Sequence, residues 1–389
     1  LSSSIERLQA KLDSIPEAAN QLAAAREEEA ELSNTIEQYK PDENAPECIA
    51  EGGQGSILVG KCLDSGCKVA IKVERVQQGR EGTLQAEYDI LCALSGDNRF
   101  PDVYHYGRQM LNCSPKATDV KVMVMQLLGS SVRELWWKRT RGSRGLEPST
   151  VMNLGCRSCE VLEQLHLKGY IHRDLKPANF AMSGDEDGDK GRGQLCLIDF
   201  GIASPIANEQ AKAEEASKGS SLSQPAFYGT RMFASRAAHN GKPQSFGDDL
   251  EAVVYVLSYL LNGALPWGDA AVGSSLEGVG GMKSAAIAAV VAGECDDESS
   301  SACALVRCAE SAASGAALKE LLLHSEGLGF GELPDYTHCQ GVLRTAYTSE
   351  TGREELSDDY EWNRPPEEAE TQAPPRSSGA GCVDFLDLF

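Results

Sequence analysis

Apolar side chains near the start of the chain recur at intervals of three and four, at Ile5, Leu8, Leu12, Ile15, Ala19 and Leu22 and again at Leu32, Ile36 and Tyr39. That spacing lines one face of an α-helix. Pro16 suits a first turn and not a helix interior, so the stripe divides there into two helices. The charged run from Arg26 to Glu31 then breaks the seam and argues against a long, self-sufficient coiled coil. Further on the period changes. Ile49-Ala50-Glu51-Gly52-Gly53-Gln54-Gly55-Ser56-Ile57-Leu58-Val59-Gly60 places a glycine-dense turn between two apolar runs, and Val69-Ala70-Ile71-Lys72 alternates as a strand does. Glu87 follows in a helical stretch, and a second helical run containing Cys156 and Cys159 precedes residue 171. Residues 268 to 318, rich in Ala, Gly and Ser, read as an expanded helical insertion. Beyond Asn363, Pro365-Pro366-Glu367-Glu368 and Pro374-Pro375-Arg376-Ser377-Ser378-Gly379 cannot bury enough apolar surface to fold and read as a linker. The last residues, Val383-Asp384-Phe385-Leu386-Asp387-Leu388-Phe389, alternate acids with large apolar groups.

A chain of 389 residues exceeds one ordinary core and suits a domain of about 300 residues with flanking arms. Its net charge of −22 disfavours non-specific binding to nucleic acid or anionic membranes and is compatible with basic protein substrates or a basic partner. The cationic run Lys138, Arg139, Arg141 and Arg144, after Trp136-Trp137, reads as a solvated loop between helices, with substrate docking or an import signal as alternatives. Thirteen scattered cysteines, an odd number, do not resemble a disulfide framework. They point to a reducing compartment, hence the cytoplasm, with the nucleus or a large intracellular assembly as alternatives. Cys156 and Cys159 lack a second pair at zinc spacing and read as buried thiols. Asp185, Asp187 and Asp189 imitate a calcium loop, but Lys190 and Cys196 stand where its glycine and closing glutamate belong, so a solvated hairpin is expected. No apolar run reaches membrane-spanning length. The chain begins at Leu1, which leaves a processed targeting segment or a trimmed sequence open.

Two acidic loops carry the chemistry. Ile171-His172-Arg173-Asp174-Leu175-Lys176-Pro177-Ala178-Asn179-Phe180 is followed about twenty residues later by Ile198-Asp199-Phe200-Gly201. Phosphoryl transfer on Mg-ATP rests mainly on positioning and charge neutralisation, so one base and several oxygen ligands must converge from separate loops. In this reading Asp174 receives a substrate hydroxyl, Lys176 sits over the γ-phosphate, and Asn179 and Asp199 are hard oxygen ligands for Mg2+. The turn with Gly52 and Gly55 lets the backbone close over phosphates where a Cβ would obstruct it. Lys72 is placed to pair with nucleotide phosphates, and Glu87 to align that lysine through an ion pair.

Together these residues resemble the casein kinase 1 superfamily of serine/threonine protein kinases, which also holds the tau-tubulin and vaccinia-related kinases. The resemblance runs from about Ile49 to Trp362. Its most specific stretches are Val122-Met123-Val124-Met125-Gln126-Leu127-Leu128-Gly129, Tyr228-Gly229-Thr230-Arg231-Met232-Phe233-Ala234-Ser235, Asp248-Asp249-Leu250-Glu251 and Leu265-Pro266-Trp267, extended by Pro334-Asp335-Tyr336 and Tyr360-Glu361-Trp362-Asn363. Most kinases carry Ala-Pro-Glu after the activation segment. This superfamily does not, and here Ala234-Ser235-Arg236 stands in that place. Ala238-His239-Asn240-Gly241 leans toward the vaccinia-related branch, while Leu333-Pro334-Asp335-Tyr336 is common to several.

The resemblance implies an α+β, two-lobed fold with an N-terminal helical arm over 1–42 and a kinase domain over 43–363. Within that domain it implies an antiparallel β N-lobe over 43–125, a hinge over 126–130 and a helical C-lobe over 131–363, with a linker and acidic-hydrophobic peptide over 364–389. ATP with Mg2+ is expected between the lobes. Met125 would guard the back of the adenine pocket, and the main chain of Gln126 to Leu128 would bind the base. Ile49, Ile57, Ala70 and Ile198 would contact it above and below, with Ala181 beneath. Thr230 would hydrogen-bond near Asp174 and Lys176, and Asp249 would anchor the catalytic loop.

Several positions depart from the family pattern. Ala50 replaces the first glycine of the loop, Gln54 an aromatic tip, and Ala181 a common leucine, which forfeits roughly 1–2 kcal/mol of apolar contact and implies weaker ATP binding. Ser245-Phe246-Gly247 and the nearly uncharged stretch after Trp267 lack the basic cluster that acidic or pre-phosphorylated substrates require, so that preference is not expected. The activation segment from Ser204 to Phe227 reads as a polar loop, and its Ser217, Ser220, Ser221 and Ser223 imply no phospho-switch. Two functions follow: an active serine/threonine kinase acting on protein, or a catalytically weak or inactive kinase-fold subunit with a structural role in an assembly. Partner binding through helix 1–39 stands beside a solvent-exposed arm, and partner binding through peptide 383–389 beside packing on the chain's own domain. No nucleic-acid partner is expected.

Overall fold

The computed structural model describes residues 39–41, 50–52, 55–75, 82–111, 118–183, 193–218, 227–294 and 301–364. The expected N-terminal helices, Ile49, Gln54, the aspartate hairpin, Ser220 to Ser223 and the C-terminal peptide lie outside these residues. The chain divides into two compact units, Leu1–Cys92 with Asp102–Leu127, and Ala93–Pro101 with Leu128–Phe389.

The smaller unit is an antiparallel sheet with one helix. Its strands are β1 (Tyr39–Pro41), β2 (Ala50–Gly52), β3 (Gly55–Cys62), β4 (Lys68–Arg75), β5 (Val103–Leu111) and β6 (Thr118–Gln126), and helix α1 spans Leu84–Ala93. The order is β1-β3-β4-β6-β5, with β2 also pairing to β3. Val69 and Ile71 on β4 meet Val120, Val122 and Val124 on β6, with Leu58 and Val73 packed alongside. β-branched side chains suit this pleated, buried surface. Ala70 and Lys72, pointing to the opposite face, are buried as well, so β4 is covered on both sides. Tyr39 departs from the expected helical stripe. It pairs with Cys62 in an edge strand, where the open backbone groups of β3 take up an extended segment and terminal Pro41 removes no central ladder bond.

The larger unit is mostly helical. It holds α2 (Val132–Thr140), α3 (Pro148–Leu167), α4 (Ile206–Ser217), α5 (Arg236–His239), α6 (Phe246–Asn262), α7 (Gly268–Gly273), α8 (Leu276–Val291), α9 (Ala312–Gly327) and α10 (Tyr336–Thr351). Two short ladders carry the acidic loops: β7 (Tyr170–Ile171) with β10 (Ser204–Pro205), and β8 (Phe180–Met182) with β9 (Leu195–Leu197). Helix α6 is buried almost throughout from Asp249 to Leu261, as an all-round apolar helix must be. A capping box of Ser245 and Asp248 starts it, and Gly263 at φ 73° ends it. Gly155 of α3 lets three helices close together, because an added Cβ would lie 3.0 Å from both Leu257 of α6 and Leu343 of α10.

Three sequence expectations are revised here. The segment after Ser204 is a helix, α4, over Ile206–Ser217. Its Ala, Glu, Gln and Lys content favours that state once one face can pack. The cationic run is a solvated loop only in part, at Arg141 and Arg144 between α2 and α3. Lys138 and Arg139 belong to α2, and Arg139 and Arg144 pair with the fully buried carboxylate of Glu361 at 3.4 and 3.2 Å. Cys303 is disulfide-bonded, while the other described cysteines are free. A disulfide needs only two Cβ atoms within about 4 Å, a proximity that scattered spacing does not disclose. Among the described residues no helix is long and apolar enough to cross a membrane.

Candidate active site

In the smaller unit the sheet register assembles one part of the predicted site. Lys72 lies opposite Ile57 on β3 and Met123 on β6, and Ala70 lies opposite Met125. Gly52 pairs with Gly55 where β2 turns into β3. Helix α1 delivers Glu87, whose Oε1 and Oε2 accept from Lys72 Nζ at 3.0 and 2.7 Å. Lys72 is 5% and Glu87 1% exposed, so this ion pair compensates two buried charges. Gln126 closes β6, its N–H donating to Asp102 O at 2.8 Å, and Leu128 opens the larger unit.

In the larger unit the loop after β7 turns sharply. Arg173 at φ 69° and Asp199 at φ 66° are two of only three described non-glycine residues in the left-handed region. Such conformations are costly for L side chains and persist where the surroundings hold them. Asp249, 2% exposed near the start of α6, is that support. Its Oδ2 accepts from His172 N at 2.7 Å and its Oδ1 from Arg173 N at 3.0 Å, while His166 Nε2 lies 3.1 Å from Oδ2. Burial alone would raise the Asp249 carboxyl, but the bonds from His166 and His172 hold it below its ordinary value. Tyr336 Oη completes the chain at 2.7 Å from His166 Nδ1. His172 is fixed as the Nε2–H tautomer by its neighbours: Nε2 donates to Ile198 O at 3.1 Å and Nδ1 accepts from Asp174 N at 3.3 Å.

Above this support four predicted residues converge. Thr230 Oγ1 donates to Asp174 Oδ1 at 2.7 Å, Lys176 Nζ donates to Thr230 Oγ1 at 3.3 Å, and the same ammonium lies 3.1 Å from Asp174 Oδ2. Asn179 Nδ2 donates to Asp174 O at 2.8 Å, which orients its amide oxygen as the atom suited to a cation. Asn179 N donates to Lys176 O at 2.9 Å, and its carbonyl accepts from Ile198 N at 2.9 Å, so the two acidic loops are stitched together. With Asp199 directly after Ile198, the donor set is one carboxylate and one amide oxygen. That is the sparse, hard set Mg2+ uses when phosphates and water complete its shell. Phe200 is buried edge-on to Phe100 and His172 and pins the Asp199 turn. Ala181 lies buried in β8 opposite Cys196.

Sequence reasoning missed two ion pairs that hold the segment on the C-terminal side of Asp199. Arg173 pairs with Glu209 of α4, and Arg236 pairs with Glu251 of α6 at 3.2 Å, its N–H also donating to Glu251 Oε1 at 2.8 Å. The Arg236 pair was accessible from the position of Arg236 where other kinases carry glutamate, which reverses the charge of the segment's anchor. Glu209 had no local signal.

Residues 45–303 match the family described as Protein kinase domain. The chain is 36% identical to a probable casein kinase I homolog of Encephalitozoon cuniculi, covering 56% of this chain and 66% of that protein. It is 30% identical to a casein kinase 1-like protein of Oryza sativa subsp. japonica, covering 63% of this chain and 34% of that protein.

Proposed function

The chain belongs to the protein kinase family and is casein kinase 1-like, and from that premise we propose that it transfers the γ-phosphate of ATP to serine or threonine hydroxyls of proteins. The hydrogen-bonded ring of Asp174, Thr230 and Lys176 carries this reading. Asp174 is the base. A carboxylate offers about four acceptor positions, so Thr230 and Lys176 orient the group while leaving room for a substrate hydroxyl. Lys176 offsets the negative charge that gathers beside that oxygen, and Lys72, oriented by Glu87, is the cation for nucleotide phosphates. Asn179 and Asp199 would hold Mg2+, which would supply positive charge to offset the charge on the phosphates. Ile57, Ala70, Met125, Ala181 and Ile198, with the main chain of Gln126 and Leu128, are the proposed adenine contacts, and Gly52 and Gly55 the proposed phosphate turn. The catalytic domain is proposed to span 43–363.

Transfer of labelled phosphate from Mg-ATP to a generic basic or acidic protein tests the proposal, with Asp199→Asn as the control. Asp174→Asn should lower turnover about 10²- to 10⁴-fold while leaving the thermal midpoint in place. Undiminished transfer in both variants would refute it.

A further inference from the structure

Arg173, next to the base, is already engaged by an acid of its own chain. Its Nη1 donates to Glu209 Oε1 at 3.1 Å, its Nε donates to Ile202 O at 2.6 Å, and its guanidinium carbon lies 4.7 Å from the centroid of the Tyr228 ring. Glu209 sits in the first turn of α4 and is 2% exposed. Its Oε2 accepts from Gln244 N at 3.1 Å, and half-exposed Lys212, one turn on, completes its shell at Oε1. One carboxylate therefore ties three separate stretches together: the catalytic loop, the helix that follows the Asp199 turn, and the strand of chain leading into α6. Burying a carboxylate is costly unless it is paired and hydrogen-bonded, and here both conditions are met. Burial pushes the Arg173 guanidinium down, and the Glu209 carboxylate is the strongest charge opposing this.

A phosphate added to a kinase's activation segment orders that segment by pairing with arginine. We infer that Glu209 is a resident substitute for such a phosphate. It is a positioning residue that holds Arg173, and through it Asp174 and the Tyr228–Thr230 stretch, in the working arrangement without modification of the segment. The inference rests on the kinase reading above. It also gives a physical reason why the serines of this segment need not act as switches.

The test uses the full chain, treated with a phosphatase and shown by mass spectrometry to carry no phosphate. Wild type keeps its turnover after that treatment. Glu209→Gln retains the size of the side chain without its charge, and Glu209→Ala removes both. Each lowers kcat about 10- to 100-fold, because misplacing a reacting group by a small distance is enough, while the KM for ATP stays within about threefold. In both, backbone amide exchange accelerates over 202–206 and 228–234. Loss of wild-type turnover on dephosphorylation, or turnover in both Glu209 variants within about twofold of wild type, overturns the inference. Should wild type be no more active than Asp174→Asn, the kinase reading itself fails. The exchange comparison then decides about Glu209 alone, and unchanged protection in its variants overturns the positioning role.

Discussion

Asp249→Asn changes the support of the catalytic loop without changing its shape. The wild-type carboxylate accepts from the backbone of His172 at 2.7 Å and of Arg173 at 3.0 Å and meets His166 Nε2 at 3.1 Å, all in a site 2% exposed. Asparagine has one acceptor oxygen and one NH2. Whichever way it is turned, at least one buried N–H then faces a donor. Each orphaned buried donor costs about 1–3 kcal/mol, so one or two of them amount to roughly 2–4 kcal/mol. Urea denaturation at neutral pH should show this as a lower midpoint with an unchanged slope. The same N–H groups set the left-handed turn that aims Asp174, so kcat should fall about 10- to 100-fold. Acid provides the sign test. The folded Asp249 carboxyl lies below its ordinary 3.8, so its contribution is present above that pH and is lost as pH falls through the lower folded value. The stability gap between wild type and variant should therefore shrink only in strong acid. A gap below about 0.5 kcal/mol at neutral pH, or full kcat in a destabilised variant, would show that Asp249 does not organise the loop.

Three further outcomes are expected. Glu361→Ala leaves Arg139, 9% exposed at its side chain, without its buried carboxylate and strands the N–H of Glu147. Breaking such a pair costs about 3–5 kcal/mol, and solvent screening of Arg144, 39% exposed, places the expected loss near the lower end. A thermal midpoint close to wild type would contradict it. Lys283 of α8 is fully buried, donating to the carbonyls of Arg231 and Ala234 with its Nζ 4.7 Å from the Tyr255 ring centroid. Burial pushes its ammonium down to about 7 from 10.5, with Glu251 opposing. Between those values the unfolded chain holds a proton that the folded one has released, so stability relative to Lys283→Met should rise with pH across that window, and a falling difference in urea midpoints would refute this. Lys72→Met removes the ammonium that pairs with buried Glu87 and should lower turnover together with about 3 kcal/mol of stability, measured by denaturation of the full chain. Stability within about 0.5 kcal/mol of wild type would show that the pair is not structural.

The sequence by itself determined the candidate residues of the proposed site. Lys72, Asp174, Asn179 and Asp199 stand in short motifs whose spacing the reaction dictates, and a strand period around Lys72 or a sharp turn around Asp174 is a property of a few consecutive residues. Tertiary structure alone decided what holds those residues in place. Asp249 meets His166 and Tyr336, Glu209 meets Arg173, and Glu361 meets Arg139 from 222 positions away. The helical state of α4 belongs to the same class, since a polar amphipathic segment becomes a helix when its buried face, here Glu209, finds partners. A buried charge acquires its meaning from the groups that compensate it. Those groups lie close in space and far apart along the chain, so no local pattern can announce them.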